Sequence, residues 1–322
     1  MPLNLPRRTL LGGMASAALA APAAAASKRG KVPAPISSLP VWNGHVPGGV
    51  PAVLTEQEIP RSPTGPADDT AFLHVTQPRL LHCRPAQPNG AAILLVPGGS
   101  YARVAIGHGG AELLRAFASA GYSTFLLKYR LPGDPWQAGP DAPLQDAQRA
   151  MRVISGMAQR EGFDPARVAV WGGSAGGHLA ARLANTKAPA YTPIDALDEL
   201  PFAVRAAILL YPVNLMAGDF VHQPSKKALL ANRKAGDAMD YSAQGAISPQ
   251  SPPTFVAHAL DDTVVPVENG LAYFKALRDA KVPAELHVQE TGGHGFGWNR
   301  TDAGLAWDWP KLALAFIHRH GA

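Results

Sequence analysis

The chain has 322 residues, 47% hydrophobic and 16% charged, which excludes a disordered polypeptide and fits a globular protein with a large core. Its 29 basic and 24 acidic side chains leave a formal charge of only +5, with no Lys/Arg run, so nucleic acid is excluded as a partner. The single cysteine, Cys83, excludes an internal disulfide, and its apolar neighbours predict a buried, inert thiol.

Residues 1–26 read as an export signal of the twin-arginine type. Arg7 and Arg8 precede a short alanine-rich apolar run that ends in small residues, and the run is too short to span a bilayer comfortably. The expected location is periplasmic or secreted, with no membrane segment in the mature form and a mature charge near +3 once those two arginines are gone. Residues 27–66, rich in Pro, Gly and Ser, read as an extended N-terminal arm, and residues 67–322 as a catalytic domain.

A β/α alternation follows. Strands are predicted at Phe72–Thr76, Leu80–Arg84, Ala91–Val96, Ser123–Tyr129, Arg167–Trp171, Ala206–Tyr211, Thr254–His258 and Ala284–Gln289. Helices are predicted at Gly110–Ala120, Ala142–Glu161, Ala175–Thr186, Asn269–Ala280 and Leu305–His320, with a small helical cap within 215–247. Lys226, Lys227, Arg233 and Lys234 in that cap read as a solvated face, and Asp146 on the long helix as a structural hydrogen-bond partner. The fold class is α/β, with a mainly parallel central sheet covered by helices on both faces. Sites in such sheets lie beyond the carboxyl ends of the strands, so chemically useful residues should directly follow strands.

Gly172-Gly173-Ser174-Ala175-Gly176 fits G-x-S-x-G, between a predicted strand and a predicted helix. That setting suits a nucleophile elbow, in which a tight turn lifts the serine and small neighbours avoid clashes. A serine hydroxyl needs a base, and the base needs an orienting acid. Asp261 and Asp262 follow the Thr254–His258 strand, and spacing alone leaves both open as the acid. His294, in the glycine-flanked loop after Ala284–Gln289, is the candidate base. The order Ser, Asp, His is that of the α/β-hydrolases. Backbone N–H groups of Gly99, Ser100 and Ala175 are the candidate oxyanion donors, because LLVPGGSY straddles the end of the Ala91–Val96 strand. The other H-G-G, at Gly107–Gly110, reads as a helix start. Tyr101, Phe296 and Trp298 are candidate pocket-lining aromatics, and Trp136 a candidate cap over the site. Neither a P-loop nor a dinucleotide fingerprint is present, and the 11 histidines form no H-E-x-x-H, so no metal or cofactor is expected.

The blocks PGGSY (97–101), LKYRL (127–131), PLQDAQR (143–149), GGSAGGH (172–178), HALDDTVVPVEN (258–269) and GGHGFG (292–297) resemble secreted α/β-hydrolase esterases related to acetyl-xylan and hormone-sensitive-lipase-like esterases. The resemblance covers about residues 68–320. It implies Ser174 as nucleophile, His294 as base and Asp262 as acid, with Asp261 as fallback. It further implies a serine esterase acting on short acyl groups, acetyl above all, of small esters or acylated oligosaccharides such as xylan fragments. The pattern departs at Ser100, where relatives commonly carry glycine. A serine still donates its backbone N–H, though its side chain narrows the pocket. A serine peptidase of the same fold and a non-catalytic exported binding protein are the competing readings. The first normally carries a large extra domain, and the retained Ser, Asp and His count against the second.

Overall fold

The structure, a computed structural model, describes residues 33–231, 238–298 and 308–322. The expected export signal, and Arg233 and Lys234 of the expected cap, lie outside the described residues.

Short strands β1 (Ser37–Pro40), β2 (Gln57–Pro60), β3 (Thr70–Leu73) and β4 (Arg79–Cys83) precede the alternation. It runs β5 (Ala92–Val96), β6 (Val104–Ala105), α1 (Gly107–Ser119), β7 (Ser123–Lys128), α2 (Ala142–Glu161), β8 (Val168–Gly173), α3 (Ala175–Asn185) and β9 (Ala206–Leu210). It continues α4 (Gln223–Leu229), β10 (Thr254–Ala259), α5 (Glu268–Asp279), β11 (Ala284–Gln289) and α6 (Trp309–Arg319).

The main sheet has eight strands in the order β1-β4-β7-β5-β8-β9-β10-β11. From β7 to β11 all pairings are parallel, while β4 and β1 add antiparallel at one edge. Every residue of β5, β7, β8, β9 and β10 is buried. That is why β5 and β9 read as unbroken apolar runs, since crossover helices cover both faces of a parallel sheet; β7 keeps Ser123, Thr124 and Lys128 at its ends, and β10 carries Thr254 and His258. At the far edge, β11 is mostly half-buried.

The Pro/Gly/Ser-rich arm carries more structure than its composition signals. β1 pairs with β4, and β2 joins β3 and β6 in a second, three-stranded sheet. Val41, Trp42 and Val46 enter the core. The Trp42 indole N–H donates to Asp146 Oδ1 at 2.7 Å, and the same carboxylate accepts from the Arg130 backbone N–H at 2.7 Å and its Nε at 2.9 Å. Asp146 is thus the structural anchor its place on α2 suggests. The strand expected at Phe72–Thr76 ends earlier, at Leu73, because His74 takes a left-handed φ of +49° and turns the chain out of the ladder. In the cap segment, α4 is followed after the undescribed stretch by a short 3₁₀ turn at Ala243–Ala246. Cys83 is buried, its thiol pKa is raised by that burial, and its Sγ lies 3.3 Å from the Ala34 carbonyl oxygen.

Candidate active site

β8 delivers Ser174 at its carboxyl end, and α3 begins at the next residue. Ser174 has φ +56° and ψ −126°, a strained conformation for a residue with a side chain. Its backbone is pinned from β9 and the segment after it: the Ser174 N–H donates to Leu210 O at 3.1 Å, and the Ser174 carbonyl accepts from Val213 N–H at 3.1 Å. The flanking glycines answer to close packing. A Cβ on Gly176 would lie 2.1 Å from Val96 O, and one on Gly172 would lie 2.3 Å from Gly176 O. Only hydrogen atoms let the start of α3 sit this close to the ends of β5 and β8.

His294 Nε2 stands 3.0 Å from Ser174 Oγ, and His294 Nδ1 is 2.8 Å from Asp262 Oδ2. Between the two aspartates left open by spacing, the geometry separates their places. Asp262 meets the imidazole, while Asp261 Oδ1 accepts from the backbone N–H of Gly293 at 2.7 Å, tying down the histidine loop. Asp262 Oδ1 also accepts from Val264 and Val265 N–H, both at 2.9 Å. Its Oδ2 lies 3.3 Å from Nε2 of His258, which is fully buried on β10. Burial alone would raise the Asp262 carboxyl, but the hydrogen bonds from His258, His294 and Val265 N–H outweigh it and hold it well below the usual carboxylate range. A carboxylate that stays ionised at any working pH is what holds an imidazole in one tautomer.

Ser174 and His294 open into a cleft of about 530 Å³. The loop Pro97–Ser100 lines the same cleft, so two of the three candidate oxyanion residues, Gly99 and Ser100, border it together with the serine. The third, Ala175, is the first residue of α3, where backbone N–H groups have no helical partner. Phe296 and Trp298 line the cleft. Tyr101 and Trp136 do not. Tyr101 is only 1% exposed and turns its hydroxyl to His178, while Trp136 is buried with its ring 5.1 Å from the Arg130 guanidinium carbon. Both were placed by proximity in sequence, which does not report which way a ring turns.

The sequence reading missed Tyr211 and Trp171, which also line the cleft. Tyr211 directly follows β9 at its carboxyl end, so the rule that located the other candidates could have found it. Its ring packs edge-on against His294 at 4.8 Å and Phe296 at 4.5 Å. Arg61, Asp69, Arg103 and Glu112 line the cleft too, and nothing local in the sequence associates them. Among the described residues no group of three or more His, Cys, Asp or Glu could hold a metal ion.

The BD-FAE family model matches residues 84–277, more than half of the chain. The chain belongs to the BD-FAE family. This BD-FAE chain is 32% identical over 222 residues to an acetylxylan esterase from Xylanibacter ruminicola, an alignment that covers 66% of the chain and 42% of that protein. It is 30% identical over 212 residues to an endo-1,4-beta-xylanase B from Butyrivibrio fibrisolvens, covering 63% of the chain and 32% of that protein. The BD-FAE chain therefore spans less than half the length of these curated relatives. Among solved structures it is similar to an acetyl ester-xyloside bifunctional hydrolase from Caldicellulosiruptor lactoaceticus, with a TM-score of 0.69 and 30% identity over 88% of this chain and 96% of that one. A thermophilic esterase from Thermogutta terrifontis follows at a TM-score of 0.64 and 26% identity, over 76% of this chain and 88% of that one. The fold is that of the α/β-hydrolases.

Proposed function

We propose that the protein is a serine carboxylic ester hydrolase that releases short acyl groups, acetyl above all, from acylated carbohydrate such as xylan fragments. The observation that carries the reading is the continuous relay from Ser174 Oγ through His294 to Asp262, at 3.0 and 2.8 Å, opening on a cleft. The acetylxylan esterase and acetyl ester-xyloside hydrolase among its relatives support the choice of substrate.

In the proposed reaction, Ser174 Oγ attacks the ester carbonyl carbon and its proton passes to His294 Nε2. The carbonyl oxygen takes the negative charge toward the N–H groups of Gly99, Ser100 and Ala175. The intermediate collapses, the C–O bond to the sugar breaks, and the departing alkoxide takes the proton from His294. Water then adds to the acyl-enzyme with His294 again accepting the proton, and acetate leaves as Ser174 is restored. Asp262 stays ionised and steadies the imidazolium that forms twice in the cycle.

We further propose that the twin-arginine-type segment exports the protein. Replacing Arg7 and Arg8 by lysine should leave the protein in the cytoplasmic fraction; unchanged export would remove this reading. No helix among the described residues is long and apolar enough to cross a membrane.

The decisive assay is acetate release from acetylated xylo-oligosaccharides, beside an aryl acetate, by wild type and Ser174→Ala. Wild-type turnover that drops by at least about 10³-fold in the variant is the expected result. Turnover of aryl acetate alone would keep the serine chemistry and remove the xylan assignment. Failure on both, with no fluorophosphonate labelling of Ser174, would favour a non-catalytic binding protein.

A further inference from the structure

We propose that Tyr101 is a positioning residue that holds the oxyanion loop in register with the nucleophile's helix, acting through His178. The inference rests on the serine-hydrolase reading above and assigns a role to two buried groups that the mechanism leaves unused.

The loop needs such a hold. Gly99, Ser100 and Tyr101 have φ values of +132°, +57° and +60°, three successive residues on the sparsely populated side of the map. Two of them carry side chains, and strain of this kind persists only where the surroundings impose it. Some restraint is local: Gly99 O accepts from Ala102 and Arg103 N–H, and Gly98 O from Ala105 N–H. The Tyr129 hydroxyl donates to Pro97 O at 2.8 Å, fixing the loop's start to β7's end. None of these bonds reaches α3, which meets only the loop's start, through the close packing of Gly176 on Pro97, and whose first residue supplies the remaining candidate donor.

The Tyr101 hydroxyl makes that reference. Its Oη is 2.7 Å from His178 Nδ1, and His178 lies in α3 three residues after Ala175. The direction of the chain follows from chemistry. His178 Nε2 is 2.7 Å from the Tyr241 carbonyl oxygen, which can only accept, so the imidazole proton sits on Nε2. Nδ1 is therefore a bare lone pair, and the Tyr101 O–H donates to it. Burial, helped by the Arg182 cation and opposed by the Tyr241 carbonyl, lowers the His178 pKa to about 3. The ring thus keeps its single neutral tautomer. Both side chains are inaccessible, at 1% and 0% exposure, and their rings meet edge-on at 5.7 Å. Nothing here touches substrate. What the pair sets is the position of the Gly99 and Ser100 N–H groups relative to that of Ala175, and an oxyanion site tolerates little error in that spacing.

The test compares full-length wild type with Tyr101→Phe, which removes one oxygen and keeps the ring. Active sites are counted with a fluorophosphonate, and aryl acetate kinetics are expressed per titrated site. Affinity is also measured for a trifluoromethyl ketone, whose adduct with Ser174 bears an oxyanion. The expected result is a fall of about 10- to 100-fold in kcat, KM within about twofold of wild type, and weakening of the ketone by the same factor as kcat. A purely structural role would lower stability and the titrated fraction only. Values of kcat and ketone affinity per titrated site within about twofold of wild type would overturn the proposal. A wild type that neither labels nor hydrolyses ester would overturn the serine-hydrolase reading and this one with it. Nitrogen-15 shifts of His178 in wild type give a check that needs no variant: the proton should reside on Nε2 from about pH 5 to pH 9. A proton on Nδ1 would leave Tyr101 nothing to donate to and would sink the chain.

Discussion

At the scale of single residues, the two adjacent aspartates make the sharpest comparison. Asp262 Oδ2 contacts His294, whereas Asp261 bonds a backbone N–H of the same loop. Asp262→Asn should lower kcat by about 10²- to 10⁴-fold, and Asp261→Asn by less than about tenfold, in an aryl acetate assay. Equal losses would contradict the assignment. The same carboxylate gives a stability signature. Its folded value lies below the unfolded one, about 3.9, so its stabilisation is complete above that value and fades as pH falls toward the folded value. Thermal melts should show Asp262→Asn less stable than wild type at pH 7, with the gap narrowing at pH 3. A gap that widens in acid would mean the carboxyl is held above its ordinary range.

At the scale of elements, the turn at Ser174 depends on α3 starting almost in contact with the end of β5. Gly176→Ala puts a methyl 2.1 Å from Val96 O and 2.5 Å from Pro97 O, both backbone atoms that cannot step aside. The variant should lose about 3 kcal/mol in chemical denaturation and disturb the site with it. A stability within error of wild type would show that α3 can recede. The N-terminal arm makes the opposite kind of contribution, from a segment remote in sequence. Trp42 is buried, donates to Asp146 and packs its ring edge-on against Tyr191 at 4.9 Å. Trp42→Ala should cost about 3–5 kcal/mol, as for other buried aromatics. A loss below about 1 kcal/mol would mean the arm is an ornament on a self-sufficient sheet.

At the scale of the whole molecule, a cleft of about 530 Å³ is much larger than an acetyl group. Its aromatic wall includes Phe296 and Trp298, and Trp298 rests on Phe117 and Trp309 at 4.8 and 5.5 Å. If the remaining space takes the sugar part of the proposed substrate, Trp298→Ala should raise KM for acetylated xylo-oligosaccharide about tenfold while leaving aryl acetate kcat within about threefold. Parallel losses on both substrates would place Trp298 in the support of the histidine loop instead.

Much of this was legible before the chain was folded. A parallel strand buried on both faces can show as a continuous apolar run, as β5 does, and the rule that sites follow strands led to Ser174, His294 and the aspartate pair. Local chemistry carried those inferences: a glycine-lined turn, a strand end, a glycine-flanked histidine loop. What the sequence could not convey depends on directions and on contacts between distant segments. β1 is four residues with a proline and is a strand only because β4 offers it an edge. Tyr101 and Trp136 sit beside informative motifs, yet their rings turn inward because His178 and Arg130 await them there. His258 and His178, on a buried strand and a buried helix face, look like ordinary residues until packing brings Asp262 to one and Tyr101 to the other. The sequence by itself determined the fold class and the candidate residues, with Asp262 preferred to Asp261 only through resemblance; spacing left that pair open, and the tertiary structure placed Asp262 against the histidine and chose the aromatics that wall the cleft, because both depend on side-chain orientation across elements that share no local sequence signal.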